Sequence, residues 1–386
     1  MRSPYEALTL AFGDATVPYL YGTDCAAALA GAVLDRLGDL DAILFVADDR
    51  VRGHADAVAA ELARRVRVER VQVEAAERHK TLPTVQHLLE AAVAGRLTRR
   101  SAVAAMGGGT VGNIAGLAAA LLFRGTRLVH LPTTPVAAFD ATVSLKQGVN
   151  LSAGKNLAGT YFVPALIACD LAWLSTVPRT DLLTGLAEMV KNVLVAAPGL
   201  EPKLTRALEG LDADPDRRAA LRALLEIGVE AKAPYVAADP REQGAALIFE
   251  YGHTAGHAIE FVSGGRIGHG EAVAWGMLVA AEVARRRHGL AAGDVAAHHR
   301  LVSLLGLPDA AVRLRDLDRD AIRAVLAKDN KRGYGPCAPG EVLMVLLDTA
   351  GRAVPGPPGG PPLVPVPVPV VMDAFETVAL NALESV

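Results

Sequence analysis

This sequence of 386 residues has few aromatic residues and few cysteines, and it has no large excess of either charge. Phe, Trp and Tyr make up 4% of it, and 39 basic residues nearly balance 42 acidic ones, for a net charge of -3. This balance lacks the electrostatic footprint of a protein that binds nucleic acid or an anionic membrane surface. The hydrophobic content of 51% predicts a folded protein whose core is mainly aliphatic.

Disulfide and membrane signals are also missing. The three cysteines, Cys25, Cys169 and Cys337, are far apart in the sequence, so they form neither a disulfide framework nor a metal-binding pair. Apolar stretches such as 102–106 and 114–122 are too short to span a bilayer, and the N-terminus shows no basic-then-apolar signal pattern. We therefore expect a cytoplasmic protein.

The first half of the chain alternates short apolar runs with helical periodicity, which is typical of a parallel sheet covered on both faces. The length favours two domains. Strands are predicted at 42–47, 66–73, 102–106, 128–131 and 166–169, and helices at 25–37, 54–65, 82–94 and 112–122.

After about residue 177 the pattern becomes helix after helix, at 182–196, 217–232, 254–261 and 273–288. The sequence therefore predicts an α/β domain over 1–176 and a mostly helical domain over 177–353. The remaining segment, 354–386, begins with VPGPPGGPPLVPVPVP. Because proline lacks a backbone donor, we predict a connector and surface tail there, without a sheet or a helix interior.

A glycine-rich turn, Gly107-Gly-Gly-Thr-Val-Gly-Asn113, follows a predicted strand and opens a predicted helix. Exposed backbone N–H groups at such a helix start favour a pyrophosphate, although tight strand-to-helix turns also select glycine. Asp48 ends an earlier strand, where an acid either binds a ribose or caps a helix. Together these features predict a dinucleotide site and leave the structural alternatives open.

Three of the ten histidines lie within residues 253–269 in glycine-rich surroundings. His253 and His257 are four residues apart and could share one face of a helix, while His269 lies in a predicted turn. Glu188 lies on a predicted amphipathic helix beside Lys191. A carboxylate and imidazoles would form an open zinc or cobalt site, with both histidines of the pair as candidate ligands.

The other seven histidines, His298 and His299 among them, are predicted to lie on the surface. A further polar cluster contains Asp140, Lys146, Asn150 and the pair Lys155-Asn156. Cationic and amide side chains after a strand end suit a phosphate and hydroxyl binding surface, and they equally suit a solvated loop.

Taken in order, these motifs resemble the sugar phosphate cyclase family, which includes 3-dehydroquinate synthase, over residues 48–332. The resemblance implies a Rossmann-like NAD domain followed by a mostly helical metal-binding domain, with Glu188, His253 and His269 as ligands of one Co²⁺ or Zn²⁺ ion. The NAD-binding residues that it implies are Asp48, Glu77, Lys80, Gly108, Gly109, Asn113, Thr133, Thr134, Asp140 and Lys155.

The resemblance also implies a sugar phosphate as substrate. Its binding residues would be Arg124, Lys146, Asn156, Lys191, Lys232 and Lys331, with Arg124 contributed by the neighbouring subunit of a homodimer. The resemblance leaves His257 free as a catalytic or hydrogen-bonding residue. We predict Lys146, Glu250 and His257 as the catalytic residues.

The sequence departs from the dehydroquinate synthase pattern at two positions. In that pattern an Arg stands seven residues before the first metal histidine and an Asn three before it, whereas this chain has Ala246 and Glu250. Ala cannot pair with a substrate carboxylate, and Glu would repel it. We therefore expect a substrate without a carboxylate. We assign Glu250 the transfer of the proton on C5 of the sugar phosphate.

The runs 144–150, 244–253 and 329–334 resemble the branch of the family that converts glucose 6-phosphate to the carbocycle of aminocyclitol antibiotics. The alternatives within the family are dehydroquinate or sedoheptulose 7-phosphate cyclisation, and His257 argues against the second. Two alternatives lie outside the cyclases. A metal-dependent polyol dehydrogenase is disfavoured because an uncharged polyol does not need several lysines. A non-catalytic relative is disfavoured because every expected metal-ligand position is filled.

Overall fold

The structure, a computed structural model, describes residues 3–152, 154–213, 217–329 and 331–381. The chain divides into two compact units. The first contains the described residues of Met1–Val177, Asp216–Leu225 and Val236–Arg241. The second contains those of Pro178–Pro215, Glu226–Tyr235 and Glu242–Val386.

Strands dominate the centre of the first unit. They are β1 (Tyr5–Phe12), β2 (Ala15–Gly22), β3 (Ala42–Asp48), β4 (Arg67–Val73), β5 (Ala102–Gly107), β6 (Arg127–Pro132), β7 (Lys146–Leu151), β8 (Gly154–Tyr161) and β9 (Leu166–Asp170). The helices between them are α1 (Ala26–Leu37), α2 (Arg52–Ala63), α3 (Leu82–Ala94), α4 (Gly109–Leu121) and α5 (Leu171–Ser175). Shorter helical turns are Asp49–Val51, Glu77–His79, Leu122–Arg124 and Ala137–Ala141.

One seven-stranded sheet has the order β1-β2-β9-β6-β5-β3-β4, in which only the β1–β2 pair is antiparallel. Successive residues of a strand point to opposite faces. Accordingly, Ile43 and Phe45 join the buried cluster with α1 and α2, whereas Leu44 and Val46 join the cluster with α3 and α4. This two-sided burial explains the continuous apolar runs and confirms the predicted α/β domain.

The second unit is mostly helical, as predicted. From residue 179 onward the helices are α6 (Arg179–Gly185), α7 (Ala187–Ala196), α8 (Glu201–Ala213), α9 (Arg218–Ala238), α10 (His253–Val262), α11 (His269–His288), α12 (Ala292–Ser303), α13 (Ala310–Leu314), α14 (Arg319–Leu326) and α15 (Val368–Asn381). Residues of α9 belong to both units. The strands are β10 (Glu341–Met344), β11 (Leu347–Thr349), β12 (Arg352–Ala353) and β13 (Val364–Pro367), and the shorter turns are Pro198–Leu200 and Ala245–Glu250. None of the helices in the described part of the chain combines the length and apolar character of a bilayer span.

The proline-rich segment corrects one prediction. Residues 364–381 are not a connector or surface tail, because β13 pairs with β10 and α15 follows it directly. Antiparallel strands use alternate residues for their ladder bonds. The N–H of Val368 donates to the carbonyl of Gly340, which continues the series of Val364 and Val366 and leaves Pro365 and Pro367 between the bonded positions.

Candidate active site

The glycine-rich turn lies between β5 and α4 in the first unit. Gly108 is the N-cap of α4, and its extended backbone lacks a side-chain cap, so the first N–H groups of the helix are open to an anion. A Cβ added at Gly108 would lie 3.2 Å from a methyl carbon of Thr134. Asn113 fixes the turn, because it donates to the carbonyl of Gly109 and accepts from the N–H of Gly148, both at 2.8 Å.

Lys146 is exposed at the start of β7 and lines one cavity together with Gly108, Gly109 and Asn113. Thr133 is buried at the end of β6, and its hydroxyl lacks a hydrogen-bond partner among the described residues. Asp140 is half-buried in the Ala137–Ala141 turn. Open helix N–H groups and an unsatisfied buried hydroxyl fit a phosphate-containing cofactor at this edge of the sheet.

Asp48 acts as a cap. Its carboxylate accepts from the backbone N–H of Arg50 at 3.0 Å and pairs with the Arg50 guanidinium, also at 3.0 Å. The helix-capping alternative from the sequence is therefore realised at Asp48, and a ribose contact would be an additional role of the same carboxylate.

Two further candidate cofactor residues contact the β7–β8 hairpin. The carboxylate of Glu77 accepts from the side-chain amide of Asn150 at 2.8 Å, and the ammonium of Lys80 donates to the side-chain oxygen of Asn156 at 2.6 Å. Burial lowers the pKa of Lys80. Lys155 is exposed on the same hairpin.

Arg124 is not brought to the glycine-rich turn. It is exposed just beyond the far end of α4, in a left-handed conformation with φ of 67°. Because a helix rises 1.5 Å per residue, α4 separates it from Gly109 by about 20 Å. Its place in a substrate site of the same chain is therefore not supported by the fold of the first unit.

The second unit brings Glu188, His253 and His269 together. Glu188 lies on α7, and the two histidines are the first residues of α10 and α11. One donor atom from each lies within 4.8 Å of the others. Oε1 of Glu188 is 3.4 Å from Nε2 of His253 and 3.2 Å from Nε2 of His269.

This donor set fits a divalent metal ion. Oε1 of Glu188 is buried and accepts no hydrogen bond from the described residues, although two imidazoles point at it. One carboxylate and two imidazoles are the ligand types that Zn²⁺ and Co²⁺ accept, and three protein ligands leave a coordination position for substrate. His269 opens α11 rather than lying in a turn, so the helix begins four residues earlier than the predicted 273.

Each histidine of this group is oriented by a partner on its other nitrogen. Nδ1 of His253 donates to the carbonyl of Tyr251 at 3.2 Å, and Nδ1 of His269 donates to the carboxylate of Glu260 at 3.1 Å. Such contacts fix the tautomer that leaves Nε2 free for a metal. The sequence analysis did not identify Glu260 as a site residue. Its only sequence signal is its position two helical turns after His253.

Glu188 is a buried carboxylate with cationic and imidazole neighbours. Burial alone would raise the pKa of Glu188, but the Lys191 ammonium, which pairs with Oε2, and His253 hold it well below its usual range. Burial would lower the pKa of His269, but the carboxylates of Glu188 and Glu260 raise it to about 10.

His257 lies one helical turn after His253, and its ring centroid is 5.2 Å from that of His253 and 6.1 Å from that of His269. It is outside the group of three converging donors. Burial, followed by electrostatic interaction with His253 and Lys331, lowers the pKa of His257 to about 3. A neutral imidazole is therefore held beside the metal candidates.

Glu250 and Lys331 form a second charged group in this unit. Nζ of Lys331 is 3.5 Å from Oε2 of Glu250 and 3.3 Å from either oxygen of Asp329. Lys331 is 1% exposed, whereas the side chain of Glu250 is 22% exposed. Glu250 is thus the member of this group that is accessible to a substrate.

Lys191 and Lys232 are both buried and meet at one aromatic ring. Their ammonium groups lie 5.9 Å and 5.6 Å from the ring centroid of Phe249. Lys232 lies on α9, which continues through Pro234. Phe249 directly precedes Glu250 in the chain. The two buried cations beside this ring can therefore hold an anionic group near Glu250.

The expectation that His298 lies on the surface is wrong. Its side chain is fully buried, because Nε2 pairs with the hydroxyl of Tyr251 at 2.9 Å and Nδ1 donates to the carbonyl of Asp294 at 2.7 Å. His130 on β6 is also buried. The local sequence around His130 and His298 does not distinguish them from exposed histidines, because their burial depends on how their strand and helix pack.

Comparison with known proteins gives two matching family models. Residues 70–184 match the 3-dehydroquinate synthase N-terminal model, and residues 185–332 match the 3-dehydroquinate synthase C-terminal model. The chain is 44% identical to 2-deoxy-scyllo-inosose synthase of Streptomyces lividus, over 95% of this chain and 94% of that protein.

Two solved structures are similar over nearly the whole chain. One is a 2-deoxy-scyllo-inosose synthase complexed with carbaglucose-6-phosphate, NAD⁺ and Co²⁺, with a TM-score of 0.85, 32% identity and coverage of 96% of this chain and 100% of that one. The other is 2-epi-5-epi-valiolone synthase from Streptomyces hygroscopicus with NAD⁺ and Zn²⁺, with a TM-score of 0.77, 28% identity and coverage of 96% and 98%.

Proposed function

This chain belongs to the 3-dehydroquinate synthase family, as a relative of the 2-deoxy-scyllo-inosose synthases, and from this premise we propose that it converts D-glucose 6-phosphate to 2-deoxy-scyllo-inosose and inorganic phosphate. The observation that carries the proposal is the convergence of Glu188, His253 and His269 in the same unit as the Glu250–Lys331 pair. The reaction needs a metal site, a base and phosphate-binding cations, and this unit contains each of them.

NAD would bind at the N-terminus of α4, and Glu188, His253 and His269 would hold one Co²⁺ or Zn²⁺ ion. When bound, NAD takes up and returns the hydride of C4, and the metal ion polarises the substrate hydroxyl at that carbon. The other proposed NAD contacts are Asp48, Glu77, Lys80, Asn113, Thr133, Thr134, Asp140 and Lys155.

Glu250 is the proposed base. Once C4 is a ketone, the C5 proton is acidic, and the carboxylate of Glu250 removes it while the C6–O bond breaks. The proton then passes to the departing phosphate. After C4 is restored to an alcohol, the hemiacetal ring opens, C6 of the resulting enol attacks the C1 aldehyde, and C5 becomes the ketone of the carbocycle.

Phosphate and hydroxyl groups of the substrate are held by cations and amides. The ammonium groups of Lys191 and Lys232 each lie within 6 Å of the Phe249 ring centroid, and Lys331 adjoins Glu250, so we propose that they retain the dianion that leaves C6. Lys146 and Asn156 would contact the sugar. The neutral imidazole of His257 would accept or donate a hydrogen bond at a substrate hydroxyl.

The choice of hexose phosphate depends on Ala246 and Glu250. Ala246 is fully buried and offers no cation, and Glu250 places a negative charge three residues before His253. A substrate carboxylate would be left unpaired at Ala246 and repelled at Glu250. These two residues therefore favour glucose 6-phosphate over the dehydroquinate precursor.

By reaction type the enzyme would be a carbon-oxygen lyase, acting in the cytoplasm in aminocyclitol antibiotic biosynthesis. We further infer a homodimer, in which Arg124 serves the partner subunit. Arg124 is exposed and lies about 20 Å from Gly109 along α4. Both features support a contact with the partner subunit.

The test is a substrate comparison. The purified protein, loaded with Co²⁺ or Zn²⁺ and NAD, is incubated separately with glucose 6-phosphate, sedoheptulose 7-phosphate and the dehydroquinate precursor, and free phosphate and carbocycle are quantified. Phosphate and 2-deoxy-scyllo-inosose from glucose 6-phosphate alone are expected. Turnover of a different substrate would overturn the role given to Ala246 and Glu250.

A further inference from the structure

Tyr251 and His298 form a buried polar pair behind the metal candidates. The Tyr251 side chain is fully buried, and its hydroxyl oxygen lies 2.9 Å from Nε2 of His298 on α12. Because Nδ1 of His298 faces the carbonyl of Asp294 at 2.7 Å, and a carbonyl can only accept, Nδ1 carries the proton. Burial lowers the pKa of His298, so the ring is neutral and Nε2 accepts from the Tyr251 hydroxyl.

The backbone of the same tyrosine orients a candidate ligand. The carbonyl of Tyr251 accepts from Nδ1 of His253 at 3.2 Å, which directs Nε2 of that ring toward Glu188. The carbonyl therefore must stay in place if His253 is to present its lone pair to a metal.

Between Tyr251 and His253 the chain makes a corner that leaves little freedom. Gly252 has a left-handed φ of 76°, and a Cβ there would lie 2.9 Å from the backbone nitrogen of Met277 and 3.0 Å from the carbonyl oxygen of Val273. The corner is packed against α11 on this side, and the Tyr251 ring is anchored on α12 through His298. Both anchors act on the peptide that carries the accepting carbonyl.

We propose that Tyr251 and His298 are positioning residues for the metal ligand His253, with the hydroxyl–imidazole bond holding the Tyr251 carbonyl where it fixes the His253 ring. This inference rests on the proposed metal site. Both side chains are fully buried, and neither belongs to the three converging donors, so we expect their effect on metal affinity and geometry. Tyr251→Phe would also leave the buried Nε2 of His298 without this partner, whereas His298→Leu would leave the Tyr251 hydroxyl only its longer contact, 3.5 Å, to the carbonyl of Met277.

The experiment measures Co²⁺ dissociation constants of the full-length protein by competition with a chromogenic chelator, together with the visible spectrum of the Co²⁺-saturated protein. Tyr251→Phe and His298→Leu remove the bond and are expected to raise the dissociation constant about 10- to 100-fold and to alter the spectrum. His298→Gln keeps an acceptor at the Nε2 position and should restore both values toward the wild type. His299→Leu, at the exposed neighbour, is the matched control and should change neither.

Two measurements keep the inference separate from the proposed function. An unchanged NAD dissociation constant and circular dichroism spectrum show that a variant is folded. Folded Tyr251→Phe protein with the wild-type Co²⁺ affinity and spectrum would overturn the positioning role alone. Wild-type protein that binds no Co²⁺ would overturn the metal site and this inference with it.

Discussion

Nδ1 of His269 lies 3.1 Å from Oε2 of Glu260, and Nε2 of the same ring lies 3.2 Å from Oε1 of Glu188. One imidazole is thus held between a carboxylate that orients it and a carboxylate that would share its metal ion. Glu260 follows His253 by two turns of α10, so one helix supplies both a candidate ligand and the partner of another. This arrangement makes Glu260 a testable part of the site.

Replacement of Glu260 by Ala should raise the Co²⁺ dissociation constant about 10- to 100-fold, because His269 loses the acceptor that fixes its tautomer. Glu260→Gln keeps an acceptor oxygen and should have a smaller effect, which makes it the matched control. Metal titration of both variants checks this. Equal affinities in the Ala variant and the wild type would exclude an orienting role for Glu260.

Glu250→Gln should lower phosphate release from glucose 6-phosphate about 100- to 10,000-fold, since an amide cannot accept the C5 proton. Co²⁺ and NAD affinities should stay unchanged, because neither set of candidate residues includes Glu250. Glu209→Gln, at an exposed position on α8, serves as the control and should retain full turnover. Normal turnover of the Glu250 variant would remove this residue from the mechanism.

Gly108→Ala should weaken NAD binding by about tenfold, which corresponds to about 1.4 kcal/mol. The new Cβ would lie 3.2 Å from Thr134, so either Thr134 or the turn that offers its N–H groups to the cofactor must move by a few tenths of an ångström. Gly31→Ala in α1 meets no atom within 4 Å and should leave NAD binding intact while raising stability by about 0.5 to 1 kcal/mol. Isothermal titration with NAD distinguishes the two variants, and equal affinities would argue against a cofactor at this turn.

His130 should make stability fall as the pH falls from about 6.5 to 4. Burial lowers the pKa of His130 in the folded chain to about 4, so between these values the unfolded chain takes up a proton that the folded chain does not. The stability lost through this group reaches about 3 kcal/mol at pH 4 and is absent above its unfolded pKa.

Urea unfolding of His130→Gln across this pH range should therefore show a shallower decline than the wild type. His87→Gln, at an exposed position on α3, should follow the wild-type curve. Parallel curves for His130→Gln and the wild type would contradict the assignment of a neutral buried imidazole.

Much of the first unit could be predicted from the sequence because buried parallel strands are continuous apolar runs. The β1–β2 hairpin was missed, since β1 is partly exposed at the edge of the sheet and Glu6 and Thr9 interrupt its apolar residues. In β13 the prolines suggested an irregular tail. Their spacing of two residues, which puts them between the bonded positions, is compatible with an edge strand.

The site was predictable where spacing carries chemistry. The glycine-rich sequence predicts the turn that the structure places before α4. The spacing and surroundings of His253 and His269 indicate the metal site, and the structure brings both together with Glu188. Glu260, Tyr251 and His298 gave no such signal, because their contacts depend on how α10, α11 and α12 pack. That information resides in tertiary structure rather than in local pattern.

The proposed reaction is tested most directly by following deuterium from glucose 6-phosphate labelled at C4, using the Co²⁺-loaded protein with NAD. If the hydride is taken up and returned within one turnover, one phosphate is released per carbocycle, the deuterium is retained at the corresponding carbon of 2-deoxy-scyllo-inosose, and no NADH accumulates. Deuterium recovered in free NADH without phosphate release would contradict a cyclase and indicate a dehydrogenase instead.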